Sequence, residues 1–396
     1  MNWKLPAALL LGLPLSLLAQ VDLINEVEGN GSDSTAPAGY QFETLIDLET
    51  TPVKNQGRSG TCWSYATSSF IESELLRKGI APVDLAEMFT VYHVYKDKAR
   101  RYVRLHGNLN FGQGGALPDV LYALKHYGAV PQSVYDGLNY GTEINQHSEL
   151  EAILKAQLDE VIENHNGTLT PNWKKAFTAT LDAYLGTPPE TFEYQGKTYT
   201  PRSFADDYLQ IDPDDYVQLT SFTHHPLHEQ THILVPDNWA WAPAYNVALD
   251  ELIATIDHSL DQGYTVDWAT DVSEPGFSLR NGLALVPQGD LEEMSKEERR
   301  QVFSVSHPEK EITPALRQKA YDNYSTTDDH AMQITGLVKD REGQEYYIVK
   351  NSWGERANDQ RPGYIYASKP YTRYKTISIV VHRKAIPRAL RKKLDL

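Results

Sequence analysis

Cysteine is nearly absent from this chain. Cys62 is the only one in 396 residues, so no internal disulfide can form, and the thiol is either a small buried side chain or a reactive group. Basic residues are also scarce: 37 Lys and Arg stand against 53 Asp and Glu, a formal charge of -16. That balance argues against a nucleic-acid binder, whose sequence-independent affinity comes from clustered Lys and Arg. Beyond the N-terminus no uncharged apolar stretch approaches eighteen residues, and no internal repeat is visible. What is present, 41% apolar and 10% aromatic residues, excludes a wholly disordered chain. The length corresponds to roughly two to three domains of polypeptide, enough to bury a core without disulfides or metals.

The one apolar run follows Lys4 and spans Leu5 to Leu18, with Pro6 and Pro14 inside it. It is too short to cross a bilayer comfortably and reads as a secretory signal cleaved near Ala19 or Gln20. The expectation is therefore an exported protein, periplasmic or secreted, that makes no membrane contact once residues 1–20 are removed. Residues 21–44 are polar and rich in Gly, Ser and Asp, which reads as a tail.

Around Cys62 the chain reads Thr51-Pro52-Val53-Lys54-Asn55-Gln56-Gly57-Arg58-Ser59-Gly60-Thr61-Cys62-Trp63-Ser64. Glycines and proline make a turn-rich approach, Thr61 is a candidate N-cap, and the stretch from Cys62 to Lys78 contains neither Gly nor Pro before Gly79 stops it. Cys62 is thus placed in the first turn of a helix. Free N–H groups and the helix dipole favour a thiolate there, so a lowered thiol pKa is expected. A thiolate nucleophile needs a proton carrier and an oxyanion stabiliser. Near the C-terminus, His330 opens an alternating apolar stretch that predicts a strand, and Asn351 closes a second one, Tyr346 to Lys350. Neighbouring strands of this kind bring an asparagine carbonyl to a histidine ring, which is the logic of a catalytic triad.

Gln56, Cys62-Trp63-Ser64, His330-Ala331-Met332 and Asn351-Ser352-Trp353-Gly354 occur in the order that marks the papain superfamily of cysteine peptidases, which the sequence resembles. The resemblance implies Cys62 as nucleophile, His330 as general acid and base, Asn351 as the group orienting it, and Gln56 with the Cys62 N–H as oxyanion hole. It implies that Trp353 shields the Asn351–His330 hydrogen bond, with Trp63 beside Cys62 as a supporting residue. Gly114 and Gly115 resemble the family's substrate-binding wall. The implied fold is α+β with two lobes, one helical and one of antiparallel strands. No cofactor or metal is implied.

Three features resemble the bleomycin hydrolase and aminopeptidase C branch in particular. Ser59 stands where many secreted relatives carry a disulfide cysteine. Cys62 and His330 are 268 positions apart, about twice the roughly 130–150 expected of short papain-like enzymes. Little sequence precedes Gln56. Interior segments Asp84 to Arg104, Leu185 to Phe192, Tyr199 to Asp206 and Gly263 to Val272 also resemble the branch, so the resemblance covers most of residues 45–387, the expected peptidase domain. Apolar stripes at Leu150, Ile153, Leu154, Leu158, Val161 and Ile162, and at Phe177, Leu181 and Leu185, predict a helical insertion at about 145–245. Peptide substrates, an aminopeptidase preference and a hexameric ring are implied by the branch. In that branch the chain's own C-terminal carboxylate lies in the cleft and engages the substrate amine. Here residues 388–396 are a short basic tail, Arg388-Ala389-Leu390-Arg391-Lys392-Lys393-Leu394-Asp395-Leu396, equally readable as a solvated helix end.

Alternatives remain at this stage. An endopeptidase or oligopeptidase without N-terminal preference uses the same residues. A non-catalytic peptide-binding homologue is countered by competent residue types at all four catalytic positions. His228-Glu229-Gln230-Thr231-His232 matches the zinc-hydrolase pattern, but Pro226 and Pro236 leave no room for the long helix such a site uses.

Overall fold

The computed structural model describes Leu23 and residues 39–164, 167–356 and 361–396. The apolar run Leu5–Leu18 and most of the polar tail lie outside the described residues. Helices gather first in the chain and strands dominate later, giving an α+β architecture of two packed lobes. Among the described residues no helix is long and apolar enough to cross a membrane.

The helical lobe is built on α1 (Cys62–Arg77), which ends in Lys78 and a left-handed Gly79. The Gly79 N–H bonds Leu76 O and the Ile80 N–H bonds Leu75 O, a Schellman closure in which the positive φ excludes most side chains. Thirteen of the sixteen α1 residues are buried, polar ones included, so this helix is enclosed on nearly every side rather than amphipathic. Its sheet-facing side is small and hydroxylated: Thr67 Oγ1 donates to Asp267 Oδ2 at 2.6 Å and Ser69 Oγ to Gln333 Oε1 at 2.7 Å. These two hydroxyls therefore link the helix to the other lobe. Helices α2 (Glu87–Arg104) and α3 (Pro118–Tyr127) pack beside it.

The predicted insertion opens with α4 (Ser148–Ile162) and α5 (Asn172–Leu185). Leu150, Leu154 and Leu158 meet Phe177, Leu181 and Leu185 in the same core that holds Phe70 and Leu75, so these helices extend the helical lobe. Ile153 is exposed, because the stripe is narrower than its apolar residues suggest. The later part of the insertion is only partly helical, with a helical stretch at residues 201–209. After a small hairpin of β2 (Phe192–Tyr194) and β3 (Lys197–Tyr199), it contributes β4 (Tyr216–Thr220), β5 (Glu229–His232) and β6 (Pro243–Asn246) to the main sheet. Val217 and Leu219 alternate into the sheet-side core while Gln218 bonds Ser378 Oγ, a period of two that forces a strand.

The sheet contains β1 (Glu43–Asp47), β7 (Val266–Thr270), β8 (Phe277–Ser278), β9 (Leu283–Ala284), β10 (His330–Lys339), β11 (Glu345–Lys350), β12 (Tyr364–Ser368) and β13 (Thr376–His382). With β4 to β6 its order is β5-β6-β4-β13-β7-β10-β11-β12-β9-β8, and β1 pairs with the far half of β10. Central strand β13 is buried on both faces, as its continuous apolar and small residues require. Helix α6 (Leu249–Asp261) covers the sheet with Leu249, Leu252, Ile253, Ile256 and Leu260, all buried. Shorter helices α7 (Lys296–Val302), α8 (Pro314–Asp322) and α9 (Lys369–Lys375) fill the periphery. The C-terminal residues form α10 (Arg388–Lys393), whose basic face is solvated while Leu390 and Leu394 are buried in the sheet-side core and Lys393 pairs with Glu251.

Candidate active site

Cys62 is the first residue of α1, and the N-cap position is Thr61, as the sequence predicts. Thr61 makes no side-chain cap; its hydroxyl instead bonds Ser59 Oγ at 2.6 Å. Ser59 also donates to Gln56 O at 2.7 Å, so hydroxyl contacts hold the turn ahead of α1. His330 opens β10 and Asn351 immediately follows β11, which brings the two strand ends side by side.

His330 Nε2 lies 2.8 Å from Asn351 Oδ1, and the Ser352 N–H donates to that same oxygen at 2.7 Å. A backbone N–H can only donate, so the shared atom is the amide oxygen and His330 must carry its proton on Nε2. That leaves Nδ1 with a free lone pair, and it has no hydrogen-bond partner among the described residues. The Trp353 ring lies over His330 with centroids 4.3 Å apart and is itself 1% exposed, so water is excluded from the His330–Asn351 bond.

Cys62 and His330 line one cavity between the lobes, together with Trp63, Gly114, Gly115, Asp237 and Asp328. Burial pushes the Cys62 thiol up to about 12; the Asp328 and Asp237 charges add to the rise, and the Ala331 and Trp63 N–H groups oppose it. This is the reverse of the lowered pKa expected from a helix N-terminus. Desolvation of the anion outweighs the first-turn amides once the opposite lobe covers the thiol. Burial likewise lowers His330 to about 4, against the Asn351 hydrogen bond. Taken separately, both groups are neutral at rest.

Gln56 is fully buried and is not among the residues lining this cavity. Its Nε2 donates to Ser59 O at 2.7 Å, and its Oε1 accepts from Ser352 Oγ at 2.6 Å. Gln56 is thereby fastened to the segment that carries Asn351. Gly114 and Gly115 do line the cavity, and neither needs a positive φ. A Cβ on Gly115 would stand 2.8 Å from the Trp63 indole and from Asp119 Oδ2, and one on Gly114 would stand 1.9 Å from Asp237 Oδ2. Trp63 is fixed by its Nε1 donating to Gln113 O at 3.1 Å.

The zinc-like segment does not form the helix that would set two histidines on one face. His228 has φ +64° and contacts Glu251 at 2.7 Å, while Glu229–His232 is strand β5. Asp237 and Asp328 escaped the sequence reading. Asp328 lies two residues before the His330 motif, but nothing in the sequence indicates that the segment bearing Asp237 folds back onto Gly114. Asp119 was missed as well; it accepts from Trp239 Nε1 at 2.7 Å and from the Ala116 N–H at 2.9 Å, pinning that segment to the helical lobe.

Against known proteins, residues 19–396 match the model of the Peptidase C1-like family. The chain belongs to this family. It is similar to aminopeptidase G of Lactobacillus delbrueckii subsp. lactis, 24% identical over 85% of this chain and 82% of that protein. Aminopeptidase C of Lactococcus lactis subsp. lactis is 22% identical over 91% and 86%, and mitochondrial cysteine proteinase 1 of Saccharomyces cerevisiae 22% over 89% and 79%. The solved structure of PepW from Lactobacillus rhamnosis superposes with a TM-score of 0.71 over 95% of this chain and 91% of that one, at 20% identity, which establishes the shared fold. The protein is a cysteine peptidase with a papain-like fold.

Proposed function

We propose that the peptidase acts through Cys62, His330 and Asn351 and removes residues from the free N-terminus of short peptides. The observation that carries this reading is the His330 imidazole, its tautomer set by Asn351 and its unpartnered Nδ1 on a cavity shared with Cys62. As Sγ attacks the scissile carbonyl, Nδ1 takes the thiol proton. The imidazolium then passes that proton to the leaving amine, and a water deprotonated by Nδ1 releases the acyl group from sulfur. Burial disfavours the charged form of each group taken alone, raising the Cys62 thiol and lowering His330. The Cys62 N–H has no acceptor within its own helix and is one oxyanion donor; the Gln56 amide hydrogen not given to Ser59 is the second.

Relatives named aminopeptidases support action at a free N-terminus. One observation favours a second reading, an oligopeptidase with no such preference: Leu396 packs against the sheet-side core and is not among the residues lining the cavity. Comparing hydrolysis of free and N-acetylated peptides decides between them, and equal rates leave the oligopeptidase. Cys62→Ala abolishes turnover of both substrates on either reading; persistent activity removes the nucleophile. We also propose that residues 1–20 direct export, tested by N-terminal sequencing of the exported protein, and that the subunits form a hexameric ring, tested by sedimentation.

A further inference from the structure

The cavity holding Cys62 and His330 also contains two carboxylates that peptide-bond cleavage does not use, Asp237 and Asp328. They come from opposite sides of the cleft. Asp328 lies two residues before His330, ahead of β10, and Asp237 lies in the connection between β5 and β6, against Gly114. The bare Gly114 makes that approach possible, since a Cβ there would occupy the carboxylate's place. Asp237 Oδ1 accepts from Asn110 Nδ2 at 2.8 Å. Asp328 accepts no hydrogen bond, and neither carboxylate has an ion-pair partner, among the described residues.

Two carboxylates line one cavity, and Asp328 there has neither a hydrogen-bond nor an ion-pair partner among the described residues, which leaves an uncompensated cost. Burial and the Asp237 charge raise Asp328 to about 7. Both carboxylates also act on the Cys62 thiol, so their charge reaches the reacting sulfur. A cation between them removes the cost. A buried side chain with an unpartnered polar atom opens on the same space. His330 is 2% exposed, its Nε2 is turned to Asn351, which does not line the cavity, and its Nδ1 is left without a partner. The cavity of about 50 Å³ has room for a few water-sized groups, the scale of an ammonium and its neighbouring methylene.

We propose that Asp237 and Asp328 form a cation subsite that holds a positively charged group of the peptide substrate beside the scissile bond: its free α-ammonium, or a Lys or Arg side chain. The subsite supplies from side chains the negative charge that Leu396, packed on the sheet-side core, does not bring to the cleft. Charge pairing in a covered cleft favours the cationic substrate and disfavours its neutral analogue, which leaves the carboxylates unpaired.

The inference rests on the cysteine-peptidase reading, and its test separates the two. Values of kcat/KM are measured for three matched peptide series: free N-terminus with neutral side chains, N-acetylated neutral, and N-acetylated with lysine. The enzymes are the unmodified protein, Asp328→Asn and Asp237→Asn. The unmodified protein should favour one cationic series over the acetylated neutral one by about tenfold or more, and each variant should lower that preference at least about fivefold, chiefly through KM. Loss confined to the free-terminus series identifies the α-ammonium; loss confined to the lysine series identifies the side chain. An unchanged preference in both variants overturns the subsite. Alkylation of Cys62 by iodoacetamide, run on each variant, reports a folded site independently of substrate preference. Turnover surviving complete alkylation overturns the peptidase reading itself, an outcome distinct from an unchanged preference.

Discussion

Substituting alanine at Gly114 and at Gly115 should have opposite signatures, although the positions are adjacent and line the same cavity. At Gly115 the new methyl meets the Trp63 indole and Asp119 Oδ2, each at 2.8 Å. Neither neighbour can move: Trp63 is 1% exposed and held by Gln113 O, and Asp119 is held by Trp239 and the Ala116 N–H. Overpacking of this kind costs about 1–3 kcal/mol. At Gly114 the clash is nominally worse, 1.9 Å, but the obstacle is the end of the Asp237 side chain. Retreat by about 1.5 Å restores ordinary contact and breaks the 2.8 Å bond from Asn110, a loss of about 1–2 kcal/mol that water can partly replace. Urea denaturation should therefore rank Gly115→Ala as the less stable variant. Hydrolysis should rank Gly114→Ala as the one that loses discrimination for cationic peptides, since it displaces Asp237 from the cavity. Equal stability of the two variants, or a Gly114→Ala enzyme with undiminished cationic preference, would refute the reasoning.

Three other perturbations follow from the same contacts. Asn351→Ala removes one oxygen that serves two donors, so stability should fall by about 1–3 kcal/mol and kcat by at least about tenfold with KM little changed; an unaltered kcat would show that ring orientation is set elsewhere. Leu394→Ala, at the end of the C-terminal helix, should destabilise by about 2–5 kcal/mol in chemical denaturation while leaving the ratio of free to acetylated peptide hydrolysis untouched, and a changed ratio would place the C-terminus in catalysis. His147 is fully buried with both ring nitrogens unpartnered, and burial holds it down to about 4. Because the unfolded chain takes up that proton near pH 6.5, His147 costs stability as pH falls from about 6.5 to about 4, by about 3 kcal/mol in all. His147→Leu should flatten the stability profile in that window, and an unchanged slope would show that other groups set it.

The elements that carry the candidate site were readable because each rests on local chemistry. A cysteine opening a Gly- and Pro-free run closed by Gly79 marks a helix start, and alternating apolar residues after His330 and before Asn351 mark strands whose ends face each other. The ionisation of Cys62 was not readable. Its sign is set by burial beneath the opposite lobe, with the Asp328 and Asp237 charges adding to it, none of which the first turn of the helix reveals. The insertion was misread in its later part because Tyr216–Thr220 is too short to display a period until β13 is beside it. The α10 leucines were hidden for a similar reason: among four Lys and Arg, two apolar residues spaced by four signal burial only once α6 supplies the surface they cover.

The bond from Ser352 Oγ to Gln56 joins positions 296 residues apart, and the Gln56 N–H adds a second link to Ser352 O at 2.8 Å. A contact of such long range cannot form until nearly all of the intervening chain has been synthesised and has condensed. The proposed nucleophile, Cys62, is therefore made early, and the segment carrying Asn351 reaches it last. On the proposed mechanism, a chain still being synthesised carries Cys62 before His330 stands beside it, and so holds a thiol with no base to take its proton. On that reading, proteolytic competence belongs to the two assembled lobes and not to the helix that carries the thiol.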